Sequence, residues 1–165
     1  MTDATGADYA GHADHGLESS LPATAPQLGD IVEIVTAEHD KLERLLSLMV
    51  SLAEEGDHGD LARRWFGVVR ETLEFEAAQE RVVWAAVGDD GELGVQHERQ
   101  RQLVELLSTQ DALLDQELDV DEVTRIAQCA REHLATGLEV LLPVLERLPA
   151  DERRELGEDL RQVMG

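Results

Sequence analysis

Three of the six histidines lie where a helical repeat of apolar residues would place a core side chain. These are His39, His97 and His133, each in a different amphipathic segment. A buried imidazole needs a hydrogen-bond partner or a metal ion, because an unpaired buried polar group is unfavourable. Counted along the predicted helices, the three positions fall within roughly 9 Å along one axis. They therefore predict either a shared cation site or three core histidines bonded to neighbouring groups.

Two glutamates of the second amphipathic segment could add carboxylate ligands to such a site. Glu76 and Glu80 are one helical turn apart, and two faces of this segment compete for the interior. One face comprises Phe66, Val69, Leu73, Glu76, Glu80, Val83 and Val87, and the other Trp65, Val68, Thr72, Phe75, Gln79, Val82 and Ala86. We expect the second face to be buried and both glutamates to be solvated, since burying two carboxylates without a metal is costly.

The apolar periodicity predicts four helices of about 25 residues each, and strand-like alternation is too short to compete. In order, the helices are bounded by Asp30 and Glu54, by Asp60 and Gly88, by Leu93 and Leu118, and by Asp119 or Asp121 and Pro149. A short amphipathic helix follows, from about Asp151 to Val163. Helices joined by short connections pack as antiparallel neighbours. We therefore expect an all-α, up-down-up-down four-helix bundle with a short C-terminal helix.

The first 27 residues differ in composition from the rest of the chain. Residues 1–27 are rich in Ala, Gly, Asp, Ser, Thr and Pro, and their charged side chains are all acidic. They cannot bury enough apolar surface to offset the entropy of ordering, which predicts a disordered acidic tail. His12 and His15 of this tail are interpreted as solvated, because nothing fixes their geometry. The predicted organisation is this tail, a bundle over residues 28–148 and the short helix within residues 149–165.

The overall charge argues against two classes of partner. Lys and Arg number 14 against 36 Asp and Glu, for a net charge of −22. Such a surface repels nucleic-acid phosphates and anionic lipid headgroups, so we expect neither a nucleic acid nor a membrane as partner. The chain shows no signal-peptide pattern and no apolar stretch of membrane-spanning length, which predicts a cytoplasmic protein.

The single cysteine and the lack of a nucleophile–base pair argue against covalent chemistry. With Cys129 alone, an internal disulfide is impossible. This residue lies beside the apolar stripe of the fourth predicted helix, where we interpret it as a small core hydrophobe. No nucleophile with a neighbouring base can be identified, so the sequence does not predict an enzyme.

Four segments of the chain together resemble one known family. They are Leu28–Met49 with Ile-Val-Thr-Ala-Glu-His-Asp-Lys-Leu, Glu71–Val87 reading ETLEFEAAQERVVWAAV, Gln96-His97-Glu98, and Arg131–Leu145 reading REHLATGLEVLLPVL. Their order and spacing resemble the four helices of the hemerythrin-like (HHE cation-binding) domains, over about residues 28–148. The fourth segment, with Pro143 after an apolar pair, is the most specific part.

The resemblance implies a non-haem di-iron site with histidines from four helices and bridging carboxylates from the second and fourth. His39, His97 and His133 match ligand positions of that family. Other ligand positions hold residues that do not suit iron: Phe75, Gln79, Gly137 and Leu138, while Ala85 replaces a proline. Iron cations in a low-dielectric bundle need anionic ligands, so a complete di-iron site is not expected.

Two hypotheses follow from the sequence. The first is a reduced metal site on His39, His97 and His133, aided by Glu76 or Glu80, for which the resemblance implies iron while three imidazoles also suit zinc. The resemblance implies a role in sensing oxygen, nitric oxide or redox state. The second is a metal-free bundle, with Phe75 and Leu138 filling the ligand space, that acts as a protein-interaction or dimerisation module. A homodimer or another protein partner fits this second hypothesis, and the sequence identifies neither.

Overall fold

The computed structural model describes residues 29–114 and 116–165, and every regular element in these ranges is a helix. The predicted tail, with His12 and His15, lies outside the described residues. The helices are α1 (Ile31–Glu54), α2 (His58–Gln79), a π-helical segment (Glu80–Trp84), α3 (Ala85–Val87), α4 (Glu92–Asp111), α5 (Val120–Glu146) and α6 (Ala150–Met164). The α2, π and α3 segments follow one another without a break. The predicted all-α class is confirmed.

Aspartates begin three of the long helices, because a short acidic side chain satisfies free backbone N–H groups at a helix N-terminus. Asp30 accepts a hydrogen bond from Val32 N at 2.8 Å, as predicted for the first helix. Asp57 caps α2, three residues before the predicted start at Asp60. Of the two candidates for α5, Asp119 is the cap.

The connection between α3 and α4 depends on two glycines with positive φ. Gly88 has φ 78° and Gly91 has φ 57°, a region that side chains with a Cβ rarely adopt. Together they end one helix and begin the next within four residues. This turn holds Asp89 next to the first residues of α4, which becomes relevant to the histidine of that helix.

The four long helices contact one another in a closed order. Helix α1 packs against α2 and α5, and α4 packs against the same two helices. Helix α6 covers α1 and α2 from outside, and its Gly157 lies against the backbone at the start of α1. A Cβ at this position would lie 2.3 Å from the carbonyl oxygen of Gly29, so only glycine fits without displacement. None of the helices in the described ranges is both long and apolar enough to cross a bilayer.

The apolar core is divided into two clusters. The larger one contains Leu42, Leu46, Trp65, Phe75 and Leu134, among others. The second, at the other end of the helices, contains Ile31, Val35, Val83, Leu141, Leu145 and Leu160, among others. In α1, α2 and α4 the residues between the two clusters include buried polar side chains, and in α5 the partly buried His133 lies next to Leu134 of the larger cluster. The sequence positions of the candidate site fall in this intervening layer.

Two details of the predicted helices are wrong. The third helix ends at Asp111 rather than Leu118, and Leu114 lies in a turn with 43% of its surface exposed. Cys129 is exposed and not a core residue. The buried face of α5 passes through Leu141 and Leu145, and it leaves Cys129 on the solvent side.

Candidate metal centre

A layer of polar residues crosses the interior between the two apolar clusters. Its buried members are His39, Glu76, Gln79, Gln96, His97 and Gln100. The side chain of His133, from α5, completes the layer and is 10% exposed. Buried polar groups are retained in a core when they find partners or serve a site. The contacts of each member therefore decide what the layer can do.

Glu76 is the most unusual member of the layer. It is 1% exposed, so the expectation that it is solvated is wrong. Among the described residues, its Oε1 atom has no hydrogen-bond partner. His133 Nε2 lies 3.6 Å from Oε1, which is too long for a hydrogen bond. A buried carboxylate oxygen without a partner is a strong reason to look for a cation.

Glu76 and His133 both affect the pKa of His39 of α1 electrostatically. Its Nδ1 donates to the carbonyl of Val35 at 2.8 Å, because a carbonyl can only accept. Burial lowers the pKa of His39, although the Val35 carbonyl and the Glu76 carboxylate act in the opposite direction. The ring is therefore neutral, and its lone pair is on Nε2. This is the usual arrangement of a metal-binding histidine, whose other nitrogen bonds a backbone carbonyl.

His133 is held by a side chain from α4. The Nε2 atom of Gln96 lies 3.2 Å from His133 Nδ1, and Gln96 itself is 2% exposed. The amide occupies the space beside Gly137, where a Cβ would come within 3.1 Å of Gln96 Nε2. Gly137 is one of the positions where the family resemblance leads one to expect a glutamate. At this position a neutral amide from another helix lies where a side chain would begin.

His97 makes a different set of contacts. Its Nε2 donates to Glu80, its ring stacks on Trp84 with centroids 4.5 Å apart, and its Nδ1 lies 3.7 Å from Asp89. Glu80 is 39% exposed in its side chain and also lies near Arg101, so this glutamate is only partly buried. Glu80 and Trp84 are the two ends of the π-helical segment. Single π turns inside helices are frequent at functional sites.

The structure thus brings only some of the predicted ligand residues close to one another. Glu76 and His133 are neighbours, with His39 in electrostatic range, whereas His97 pairs with Glu80. Within residues 29–114 and 116–165, no three His, Cys, Asp or Glu side chains lie in a group that could hold a metal ion as they stand. Phe75 packs edge-on against His39, with ring centroids 5.3 Å apart.

The sequence did not predict the contacts of three further polar residues with the histidines and Glu76. Gln96 contacts His133, Asp89 lies near His97, and Gln100 donates to the Glu76 carbonyl at 3.1 Å. The glutamines interrupt the apolar stripe of the third predicted helix, and that interruption is a signal in the sequence. Asp89 gives no such signal, because it lies in a turn whose path depends on the fold.

By type, His39, Glu76 and His133 offer donors that a divalent cation uses, although they are not arranged as a metal-binding group in the described residues. Two imidazoles and one carboxylate form the ligand set of mononuclear non-haem iron sites, and three protein donors also serve zinc. The orphaned Glu76 oxygen is the group that a cation would neutralise. His39 presents the correct tautomer for ligation at Nε2. The chemistry of these residues therefore fits a single ion better than a pair.

Comparison of the chain with protein-family models, with curated proteins and with solved structures finds no match.

Proposed function

We propose that this chain is a hemerythrin-like, up-down-up-down four-helix bundle that binds one divalent cation, iron by preference, at His39, Glu76 and His133. The observation that carries the proposal is the buried Glu76 carboxylate, whose Oε1 lacks a hydrogen-bond partner among the described residues and lies 3.6 Å from His133 Nε2. An unpaired carboxylate in a core is costly, and a bound cation would convert that cost into binding free energy.

Two further features support the same site. The Val35 carbonyl fixes the proton of His39 on Nδ1, leaving Nε2 as a donor for a cation. The polar layer spans the helices between two apolar clusters, so the donors are held by rigid elements rather than by loops. The closed packing order of α1, α2, α4 and α5 supports the bundle topology.

The role that follows is sensing rather than catalysis. When bound, iron supplies open coordination positions and a change of oxidation state. The chain itself contributes a neutral imidazole, a carboxylate and an apolar surround that includes Phe75. This supports a domain that reports oxygen, nitric oxide or redox state to a partner, and we do not propose an enzymatic activity.

Elemental analysis of the full chain, purified without chelator, tests the proposal. We expect stoichiometric iron or zinc in the wild type, and its loss in Glu76→Gln and in His133→Ala. The matched control is His97→Ala, which removes a buried histidine of the same layer that pairs with Glu80 instead. Retention of metal in this control is expected. A metal-free wild type that is not stabilised by added iron or zinc would refute the proposal.

One observation favours a second function. Phe75 and Gln96 fill space beside His39 and His133, and no described group of three donors is arranged for a metal as it stands. A metal-free bundle that serves as a protein-interaction or dimerisation module would explain this filling. It predicts no bound metal and a concentration-dependent molecular mass, which sedimentation of the full chain would measure.

A further inference from the structure

A groove of about 560 Å³ between α4 and α5 is polar at one end. From α4, this end is lined by Gln96 and Arg99. From α5, it is lined by Glu132 and Thr136, which lie on either side of His133, and His133 contacts Gln96 across the groove. The volume is within the range of small-molecule sites, so the contacts of these side chains decide which ligand chemistry fits.

Arg99 and Glu132 have opposite charges and line the same groove without pairing. Both are exposed, and neither forms an ion pair with the other or with any further residue in the part of the chain that the structure describes. By contrast, Arg101 of the same helix lies 3.7 Å from both Glu80 and Glu98. The groove therefore presents one cationic and one anionic group to a single ligand.

The side chain of Gln96 adds a hydrogen-bond acceptor at the floor of the groove. Gln96 is 2% exposed. Its Nε2 lies 3.2 Å from His133 Nδ1 and 3.5 Å from the His133 carbonyl oxygen, whereas its Oε1 accepts no hydrogen bond from the described residues. A nearly buried acceptor without a donor is unfavourable. An N–H group of a ligand would supply the missing donor.

The other end of the groove is apolar. Leu103 and Leu106 of α4 line it, and Leu103 is 3% exposed. They follow Gln96 by seven and ten residues, which corresponds to roughly 10–15 Å along the helix. An apolar group of a ligand that covers these leucines would be removed from water, which favours binding.

The polar end suits a zwitterion better than a simple ion. A carboxylate can accept from the Arg99 guanidinium and the Thr136 hydroxyl, and an ammonium group can donate to Gln96 Oε1 and to Glu132. A chain of net charge −22 repels a simple carboxylate. A simple amine would leave Arg99 unpaired. A zwitterion carries no net charge and pairs with both groups.

We propose that the groove between α4 and α5 binds an apolar α-amino acid, with its carboxylate at Arg99, its ammonium group between Gln96 and Glu132, and its side chain on Leu103 and Leu106. This site is separate from the proposed function, because none of these contacts needs a bound cation.

Nitrogen-15 NMR of the backbone amides of the full chain, treated with chelator, tests the ligand class. L-leucine should give saturable shift changes at the groove residues, with a dissociation constant of about 1 mM or below. Three analogues should each bind about 10-fold more weakly: glycine lacks the apolar side chain, isocaproate the ammonium group and isopentylamine the carboxylate. The absence of saturable changes at about 10 mM L-leucine overturns the site. Equal binding of isocaproate or isopentylamine overturns the zwitterion.

Substitutions of the two charged residues test the position of the ligand. Arg99→Gln and Glu132→Gln should each raise the dissociation constant for L-leucine about 10-fold, and far-UV circular dichroism verifies that these variants of exposed residues are folded. The controls Arg101→Gln and Glu139→Gln remove the same charges from the same helices outside the groove and should change it less than about 2-fold. Equal effects in both pairs would show general charge attraction and overturn the proposal. A protein that binds iron or zinc but not L-leucine overturns this inference alone.

Discussion

Replacing Glu76 with glutamine should stabilise the metal-free protein, an unusual result for a fully buried position. The substitution keeps the shape of the side chain and removes its charge. Among the described residues, Glu76 Oε1 has no hydrogen-bond partner, since His133 Nε2 at 3.6 Å is too distant for a hydrogen bond. A neutral amide loses less than a carboxylate when it leaves water for a core.

The expected gain follows from what the carboxylate lacks. Leaving a buried polar group unsatisfied costs about 1–3 kcal/mol, and more for a charged group. We expect the free energy of unfolding of metal-free Glu76→Gln to exceed that of the wild type by about 2 kcal/mol. For a chain of this length that corresponds to a rise of roughly 4–8 °C in Tm.

Urea denaturation of chelator-treated protein, followed by far-UV circular dichroism, measures this difference. Glu74→Gln is the matched control, because Glu74 is an exposed residue of the same helix. It removes the same charge from a chain of net charge −22, and should change stability by less than about 0.5 kcal/mol. Subtracting the control isolates the effect of burial from that of general charge repulsion.

The order of stability should reverse when a cation is present. At a free cation concentration 100 times the dissociation constant, the wild type should gain about 2.7 kcal/mol, while Glu76→Gln should gain little. A metal-free Glu76→Gln that is less stable than the wild type would show that the carboxylate is already paired, and it would refute the reasoning.

Three further substitutions test other parts of the structure. Burial lowers the pKa of His39 from 6.5, so the unfolded chain binds more protons below that value, and metal-free stability should fall on acidification from about pH 7.5 to 5.5. Urea denaturation at the two pH values should show that His39→Gln loses less stability on acidification than the wild type does. Gly157→Ala should lower stability by about 1–3 kcal/mol, because the new Cβ meets the Gly29 carbonyl oxygen at 2.3 Å. Gly67→Ala, on an open face of α2, should raise Tm by adding helix propensity, and calorimetry of both glycine variants checks the contrast.

Much of the fold could be predicted because its signals are local. The aspartate caps at Asp30 and Asp119 and the apolar repeat identify helices without reference to the rest of the chain. The same repeat places His39 and His97 in the interior, and both are buried. Helix α4 ends at Asp111, and Leu114, although it continues the repeat, lies in a turn and is exposed.

The details of the site depend on features that the repeat does not encode. Helix α2 contacts α1, α4 and α6, so its buried arc is wide enough to include both Phe75 and Glu76. The sequence prediction chose between two narrow faces of this helix, and neither of them contains both of these buried residues. The pairing of His97 depends on the π-helical segment and on the turn that holds Asp89. Neither has a sequence signal as clear as a cap or a glycine.

The π-helical segment between α2 and α3 also affects where residues can be deleted from the chain or inserted into it. A π turn holds about one residue more than an α turn, so a wheel drawn with uniform α geometry misplaces every residue after Trp84 by about 100°. Deleting one residue within Glu80–Trp84 should shorten the bulge and leave the upstream core in register. The same deletion near Val69 would rotate the whole upstream face of α2 relative to Glu76. Insertions and deletions in this helix should therefore be tolerated at the bulge and rejected elsewhere.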